Sequence, residues 1–342
     1  MKKSLFLIAA SAFALASCSN DEVVDMQKQS AIGFDSYVGK TTRAKEADME
    51  SLTEMNVYGY IGDAAPLKIF NGQKVTKSGT TWSYEPLQYW TAGKTYFFTA
   101  IASPTAEGNT QYTYTWAADA DLPTATEGFY GSGTIGFDNS AAKGNEDLVY
   151  AYATQVTANP LTVKPDKVQF AFKHALSRVK FTFTNAMGSS SYSIKVYDLK
   201  IENAAAQASL TLGAESPVWT GLTSEAQLEL RNNLFTPAEQ TALNTAKVVS
   251  GTKFIIPETK ALTISFKVDM MINGTLIDTY THSNVALPET AFQNGHSYNF
   301  TAEITPKNID PDQQMFPIEF NVQSVAGWEE DSNIPVTLPE KE

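Results

Sequence analysis

The side chains able to do chemistry are few and far apart. Cys18 is the only cysteine in 342 residues, so no disulfide, thiolate–metal cluster or redox pair can form within the chain. The three histidines, His174, His282 and His296, are too widely separated to match a metal-ligand spacing. His174 lies among apolar residues ahead of a strand and reads as a hydrogen-bonded structural histidine. His282 and His296 flank strands and read as surface residues. A Gly-x-Ser-x-Gly nucleophile elbow is absent, and no carboxylate pair is marked for glycosidase chemistry. Gly131-Ser132-Gly133 reads as a turn and not a phosphate loop, because no Lys-Ser or Lys-Thr follows it into a helix. These residue types predict neither an enzyme nor a metal or cofactor site. What remains is covalent chemistry at Cys18.

Cys18 sits where export chemistry would use it. Lys2 and Lys3 form a charged start, Leu5 to Leu15 an apolar stretch, and Ala16-Ser17 a small-residue junction, the three parts of a secretory signal. The apolar stretch is too short to span a bilayer, which takes about 20 residues. The run Leu15-Ala16-Ser17-Cys18 resembles the lipobox of bacterial lipoproteins. That resemblance implies removal of residues 1–17, diacylglycerol on the Cys18 thiol and an acylated new amino terminus. Several acyl chains on one residue exceed the single-chain threshold for stable anchoring. Losing Lys2 and Lys3 takes the formal net charge from -12 to -14. Such acidity opposes nucleic acid, whose phosphates need a basic face, and opposes electrostatic adhesion to anionic headgroups. The body is expected to be a soluble globule on a lipid tether.

The elements beyond residue 30 are mainly strands. Residues 18–30 are polar and read as a tether. Ile32, Phe34 and Val38 fall on one face of a strand over 31–39. The same period of two recurs in Val179/Phe181/Phe183, in Leu262/Ile264/Phe266/Val268/Met270, in Tyr298/Phe300/Ala302/Ile304 and in Ile318/Phe320/Val322. Asn273-Gly274 reads as a type I′ hairpin turn, and Asn294-Gly295 is a second turn signal. Ser224 to Arg231 and Pro237 to Lys247 read as two short helices inserted in the β scaffold, each with a weak capping signal. Fifteen tyrosines and nineteen phenylalanines suit sheets with aromatic inner faces. The pattern predicts an all-β, mainly antiparallel fold built of sandwiches. A break is expected over Asn159 to Asp166, where Asn159-Pro160 and Lys164-Pro165 interrupt the strands. It separates a domain at 31–163 from one at 164–342.

Several segments, in order along the chain, resemble the fimbrillin family of Bacteroidota. They are Ile32-Gly33-Phe34 running to Thr41-Thr42-Arg43-Ala44, and Trp82 to Trp90 with Tyr96-Phe97-Phe98-Thr99-Ala100 and Ser103-Pro104. Phe172-Lys173-His174-Ala175-Leu176-Ser177-Arg178-Val179, Phe254-Ile255-Ile256-Pro257 and Val325-Ala326-Gly327-Trp328 complete the set. The resemblance implies two transthyretin-like antiparallel β-sandwich domains in tandem and a role as a subunit of surface fimbriae. It also implies a lipoprotein precursor held at the outer membrane, cleavage near the amino terminus by a protease with arginine specificity, and polymerisation by strand exchange.

Those implications single out particular residues. Arg43 lies in a polar stretch, Gly39 to Glu46, so cleavage between Arg43 and Ala44 would release the lipid with the strand carrying Ile32, Phe34 and Val38. Ile334, Val336 and Leu338 alternate near the carboxy terminus and form a candidate donor strand, with Ile318 to Val322 in reserve. Expected partners are other fimbrial subunits, self or related, and a host or bacterial surface receptor. A different function, a surface glycan-binding lipoprotein that stays lipidated and monomeric, would use Trp82, Tyr84, Tyr89 and Trp90 as an exposed platform. Core packing is the commoner fate of such a cluster. Trp328 reads as a plug closing the last strand.

Overall fold

The computed structural model describes residues 30–38, 52–103, 112–140, 147–189, 191–229, 247–288, 290–309, 318 and 321–327. Cys18, Arg43, Ala44, Trp328 and the segment with Ile334, Val336 and Leu338 lie outside them, as does nearly all of the helix expected at Pro237 to Lys247.

Alternating residues dictate three sheets. The first has seven strands in the order β1 (Phe34–Val38), β9 (Val168–His174), β8 (Val149–Val156), β5 (Thr95–Ala102), β2 (Glu54–Ile61), β3 (Leu67–Ser78) and β4 (Thr81–Ser83). It curls, so that the segment just after β4 meets the start of β1 through an antiparallel bridge from Tyr89 to Ala31. Its inner face holds a core of Ile32, Phe34, Val57, Phe70, Trp82, Trp90, Phe98 and Phe170, among others.

The second sheet runs β13 (Lys247–Val249), β10 (Ser177–Asn185), β17 (His296–Ile304) and β18 (Asn321–Gly327), with β14 (Lys253–Ile255) also on β10. The third runs β16 (Thr275–Ala286), β15 (Thr263–Ile272), β11 (Tyr192–Thr211), β7 (Thr134–Asp138) and β6 (Tyr112–Thr115), with β12 (Trp219–Glu229) on β11. A second core, with Phe181, Phe183, Ile264, Phe266, Tyr298 and Phe300, fills the space between β10/β17 and β11/β15. A third, with Ile101, Tyr150, Ala175, Leu176, Leu210, Trp219 and Ile256, lies between the first sheet, which we call the first lobe, and the second and third sheets, which together form the second lobe.

Strand β11 lines both of these last two cores. Its 20 residues reach on the order of 65 Å at about 3.3 Å per residue. Tyr192 to Ile201 pair with β15, while Gln207 to Thr211 pair with β7. Because β12 pairs with both stretches, β15 and β7 must lie end to end on the opposite side of β11.

The aromatic sheets expected from the sequence are present, and most of the inner-face residues named there are buried, with Met270 half-buried and the side chains of Phe320 and Val322 outside the description. Val179, Phe181, Phe183, Ile264, Phe266, Val268, Tyr298 and Phe300 are each at most 1 % exposed. The Asn273-Gly274 turn is also present: φ is 50° at Asn273 and 81° at Gly274, the paired left-handed conformation a type I′ hairpin needs. Gly131 and Gly133 also have positive φ, and a Cβ on Gly133 would lie 2.5 Å from the Thr115 carbonyl. Only glycine allows that approach.

Some expectations need correction. Ser224 to Glu229 is not helical; it is the second half of β12, with Ala226 opposite Ala204 and Leu228 opposite Ile201. A weak capping box is outweighed by the long ladder along β11, which persists through two register shifts, because helix propensity is worth only tenths of a kcal/mol per residue. Most ladders are antiparallel, but β1 runs parallel to β9 and β10 parallel to β17. Residues 159–166 link β8 to β9, which are neighbours in one sheet; the chain leaves that sheet at Ala175-Leu176. The reserve donor Ile318 to Val322 is partly committed to its own chain, since Ile318 is buried and β18 pairs with β17.

Candidate functional site

The period-two pattern at the start of the chain places three inward side chains, Ile32, Phe34 and Ser36, along and just ahead of β1. All three are buried, at 1 %, 1 % and 4 % exposure. Sequence inspection marked Ile32, Phe34 and Val38 and passed over Ser36, which the same spacing puts on the inner face. Val38 is paired with Phe172 in the ladder.

The strand is held differently along its two sides. On one side, Phe34 to Val38 register with Val168 to Phe172 of β9, and the Val168 amide donates to the Gly33 carbonyl at 2.9 Å. On the other, contact is made at the start. The Ile32 amide donates to the Gln88 carbonyl at 2.9 Å, and the Trp90 amide to the Ser30 carbonyl at 3.1 Å. The Tyr84 hydroxyl donates to the Ile32 carbonyl at 2.9 Å and accepts from the Gln88 amide at 3.2 Å. Burial raises the pKa of that phenol, so it stays protonated and keeps its donor at physiological pH.

Phe34 is the centre of the packing. Its ring lies 5.3 Å from Phe70 edge-on, 5.4 Å from Tyr84, 5.9 Å from Phe98 edge-on, and stacks on Phe170 at 5.7 Å. These neighbours come from β3, the turn after β4, β5 and β9, so one side chain joins the whole curl of the sheet. Burying Ile32 and Phe34 contributes about 3–6 kcal/mol together, at about 1.5–3 kcal/mol for each large apolar side chain. β1 is thus an outer strand of its sheet whose side chains complete the first-lobe core.

The aromatic cluster weighed as a glycan platform belongs to that same core. Trp82, Tyr84 and Trp90 are buried, and only Tyr89, at 44 %, is exposed. Trp90 meets Tyr96 edge-on at 4.7 Å.

The histidines fall into two places. His174 is buried with its Nδ1 2.6 Å from Oδ2 of the fully buried Asp147, the structural role expected of it. Asp147 Oδ1 also accepts from the Leu148 amide at 2.8 Å. His174 and His296 both border a cleft of about 850 Å³ where the lobes meet, with Lys173, Trp219, Glu258 and Phe292. Burial raises the pKa of Glu258, whose Oε1 accepts from the Ala205 amide at 3.0 Å. His282 lies elsewhere, on β16, and the surface reading of it needs correction. Its ring stacks on Phe266 at 5.0 Å, burial lowers its pKa, and its buried Nε2 has no hydrogen-bond partner among the described residues. No group of three or more His, Cys, Asp or Glu among the described residues is placed to hold a metal. No helix among them is long and apolar enough to cross a membrane.

Residues 42–316 match the family model described as fimbrillin-like. The chain belongs to the fimbrillin-like family. This fimbrillin-like chain is similar in fold to a fimbrial protein from Bacteroides vulgatus, with 18 % identity and a TM-score of 0.56 over 87 % of this chain and 99 % of that one. A further similar structure is the fimbrial anchor protein Mfa2 from Porphyromonas gingivalis, with 9 % identity and a TM-score of 0.40 over 87 % of this chain and 99 % of that one. No curated protein matches the chain significantly.

Proposed function

We propose that this chain is a structural, non-enzymatic subunit of a surface fimbrium, exported as a lipoprotein on Cys18 and assembled by strand exchange. The observation that carries the proposal is the seating of β1. It is an outer strand whose Ile32 and Phe34 fill the first-lobe core, and it joins the remainder of the chain through a segment containing Arg43. Cleavage between Arg43 and Ala44 would cut the only covalent link between β1 and its sheet. Loss of the strand would leave an apolar slot beside β9 and a row of unpaired backbone groups, the acceptor that strand addition requires. A donor segment at Ile334, Val336 and Leu338, passed head to tail to a neighbouring subunit, would build an open filament. Membership of the fimbrillin-like family supports a place at the cell surface among other fimbrial subunits.

The glycan-binding alternative loses its platform, because Trp82, Tyr84 and Trp90 are inside the protein. The decisive experiment compares intact protein with protein nicked at Arg43. The nicked form is expected to polymerise with other subunits while the intact form stays monomeric, and deletion of residues 332–342 is expected to block donation without unfolding the subunit. Nicked protein that neither assembles nor accepts a strand would sink the reading.

A further inference from the structure

The slot that holds β1 is well matched to two of its three described inward side chains and poorly matched to the third. Ile32 and Phe34 are apolar and enclosed by apolar neighbours. Ser36 is 4 % exposed, yet its Oγ has no hydrogen-bond partner among the described residues. In the parallel ladder it stands opposite Phe170, between the register positions of Val168 and Phe172. Phe170 is stacked on Phe34 and tilted against Phe172, so the β9 residue in register with Ser36 is aromatic and the residues two positions to either side of it, Val168 and Phe172, are apolar. A hydroxyl buried without a partner gives up its water and receives nothing in return.

The surrounding core shares this deficit. The indole Nε1 atoms of Trp82 and Trp90, both in the core that Phe34 completes, are also buried without partners. Three of the five such atoms among the described residues therefore belong to β1 and its seat. The chain's own strand does not optimise the slot it fills.

Resting on the strand-exchange reading above, we infer a side-chain code for the strand that replaces β1. It runs parallel to β9 and carries a bulky aliphatic residue at the Ile32 site, an aromatic at the Phe34 site and a small apolar residue at the Ser36 site. A small apolar side chain removes the unpaired hydroxyl without adding bulk. A larger one must displace Phe170 or Phe172 in a core packed to crystal-like density. The code also says which partner is wrong. Residues 329–342 of this chain contain no aromatic residue, no alanine and no glycine. With Ile334 at the Ile32 site, Val336 underfills the Phe34 hole and Leu338 overfills the Ser36 site. The strand this seat accepts comes from a different subunit and not from the tail of a second copy.

The test has two arms. In the full chain, Ser36→Ala is expected to raise the melting temperature by about 2–4 °C, the shift that roughly one unpaired hydroxyl is worth. A fall in melting temperature would show that the hydroxyl is satisfied and would overturn the code. In the second arm, protein nicked at Arg43 is offered fluorescent peptides: residues 30–38, the same peptide with Ser36→Ala, the same with Phe34→Ala, and residues 332–342. The Ser36→Ala peptide is expected to bind about five- to tenfold more tightly than the native sequence, the factor that about 1–1.4 kcal/mol corresponds to. The Phe34→Ala and tail peptides are expected to bind at least tenfold more weakly than the native sequence. Tail binding equal to that of the Ser36→Ala peptide would refute the partner assignment. If none of the four binds while Ser36→Ala still stabilises the full chain, it is the exchange reading that fails, and the matched seat remains as a property of the folded subunit.

Discussion

Replacing Phe34 with alanine should be the most damaging single change in the first lobe, and its cost can be built from the packing. The ring is 1 % exposed and contacts four aromatic rings within 5.9 Å. Removing it forfeits about 1.5–3 kcal/mol of apolar burial. The void left, on the order of 80 Å³, adds about 2 kcal/mol at about 24 cal/mol per Å³ if the walls do not collapse. Collapse is restricted because those walls are rings fixed on three different strands and a turn. The expected loss is about 3–5 kcal/mol, a large share of the 5–15 kcal/mol that typically separates folded from unfolded states. Equilibrium urea unfolding followed by tryptophan fluorescence is a suitable assay, since Trp82 and Trp90 lie in the same core. Phe34→Leu, which keeps most of the volume, should lose about 1–1.5 kcal/mol. A loss below about 1 kcal/mol for Phe34→Ala would mean that β1 is not the keystone of the sheet, and the argument from its seating would fail with it.

Other consequences can be checked independently. Asp147→Ala removes the acceptor of both the His174 ring and the Leu148 amide, so the chain should lose about 2–4 kcal/mol in the same assay. Burial lowers the His282 pKa, so below pH 6.5 the unfolded chain takes up a proton before the folded chain does. Stability should therefore decline as pH falls below 6.5, and His282→Phe should remove that part of the decline; parallel stability curves for the two proteins would contradict it. Cys18→Ala should abolish labelling by radioactive palmitate, because no second thiol exists to substitute; labelling at the wild-type level would rule out the anchor.

What the residues alone determined is the class of fold and the inward faces of its strands. Alternation at 179–183, 262–270 and 298–304 is a local property, because a strand's two faces follow from the pleat and need no knowledge of the partner strand. The Asn273-Gly274 hairpin is local for the same reason: its two positive φ angles are a demand on those residue types. Ser224 to Glu229 was not legible, because its helical signal is weak and its strand state exists only through pairing with β11. The parallel direction of β1 beside β9 likewise joins residues more than 130 positions apart, which no window on the sequence reports. Tertiary structure alone decided that Trp82, Tyr84 and Trp90 face inward, and that Phe34 lies among rings from distant strands. It also decided that the Ser36 hydroxyl has no hydrogen-bond partner among the described residues. Burial and satisfaction are properties of what surrounds a side chain, and those surroundings are assembled from segments brought together only when the sheet curls.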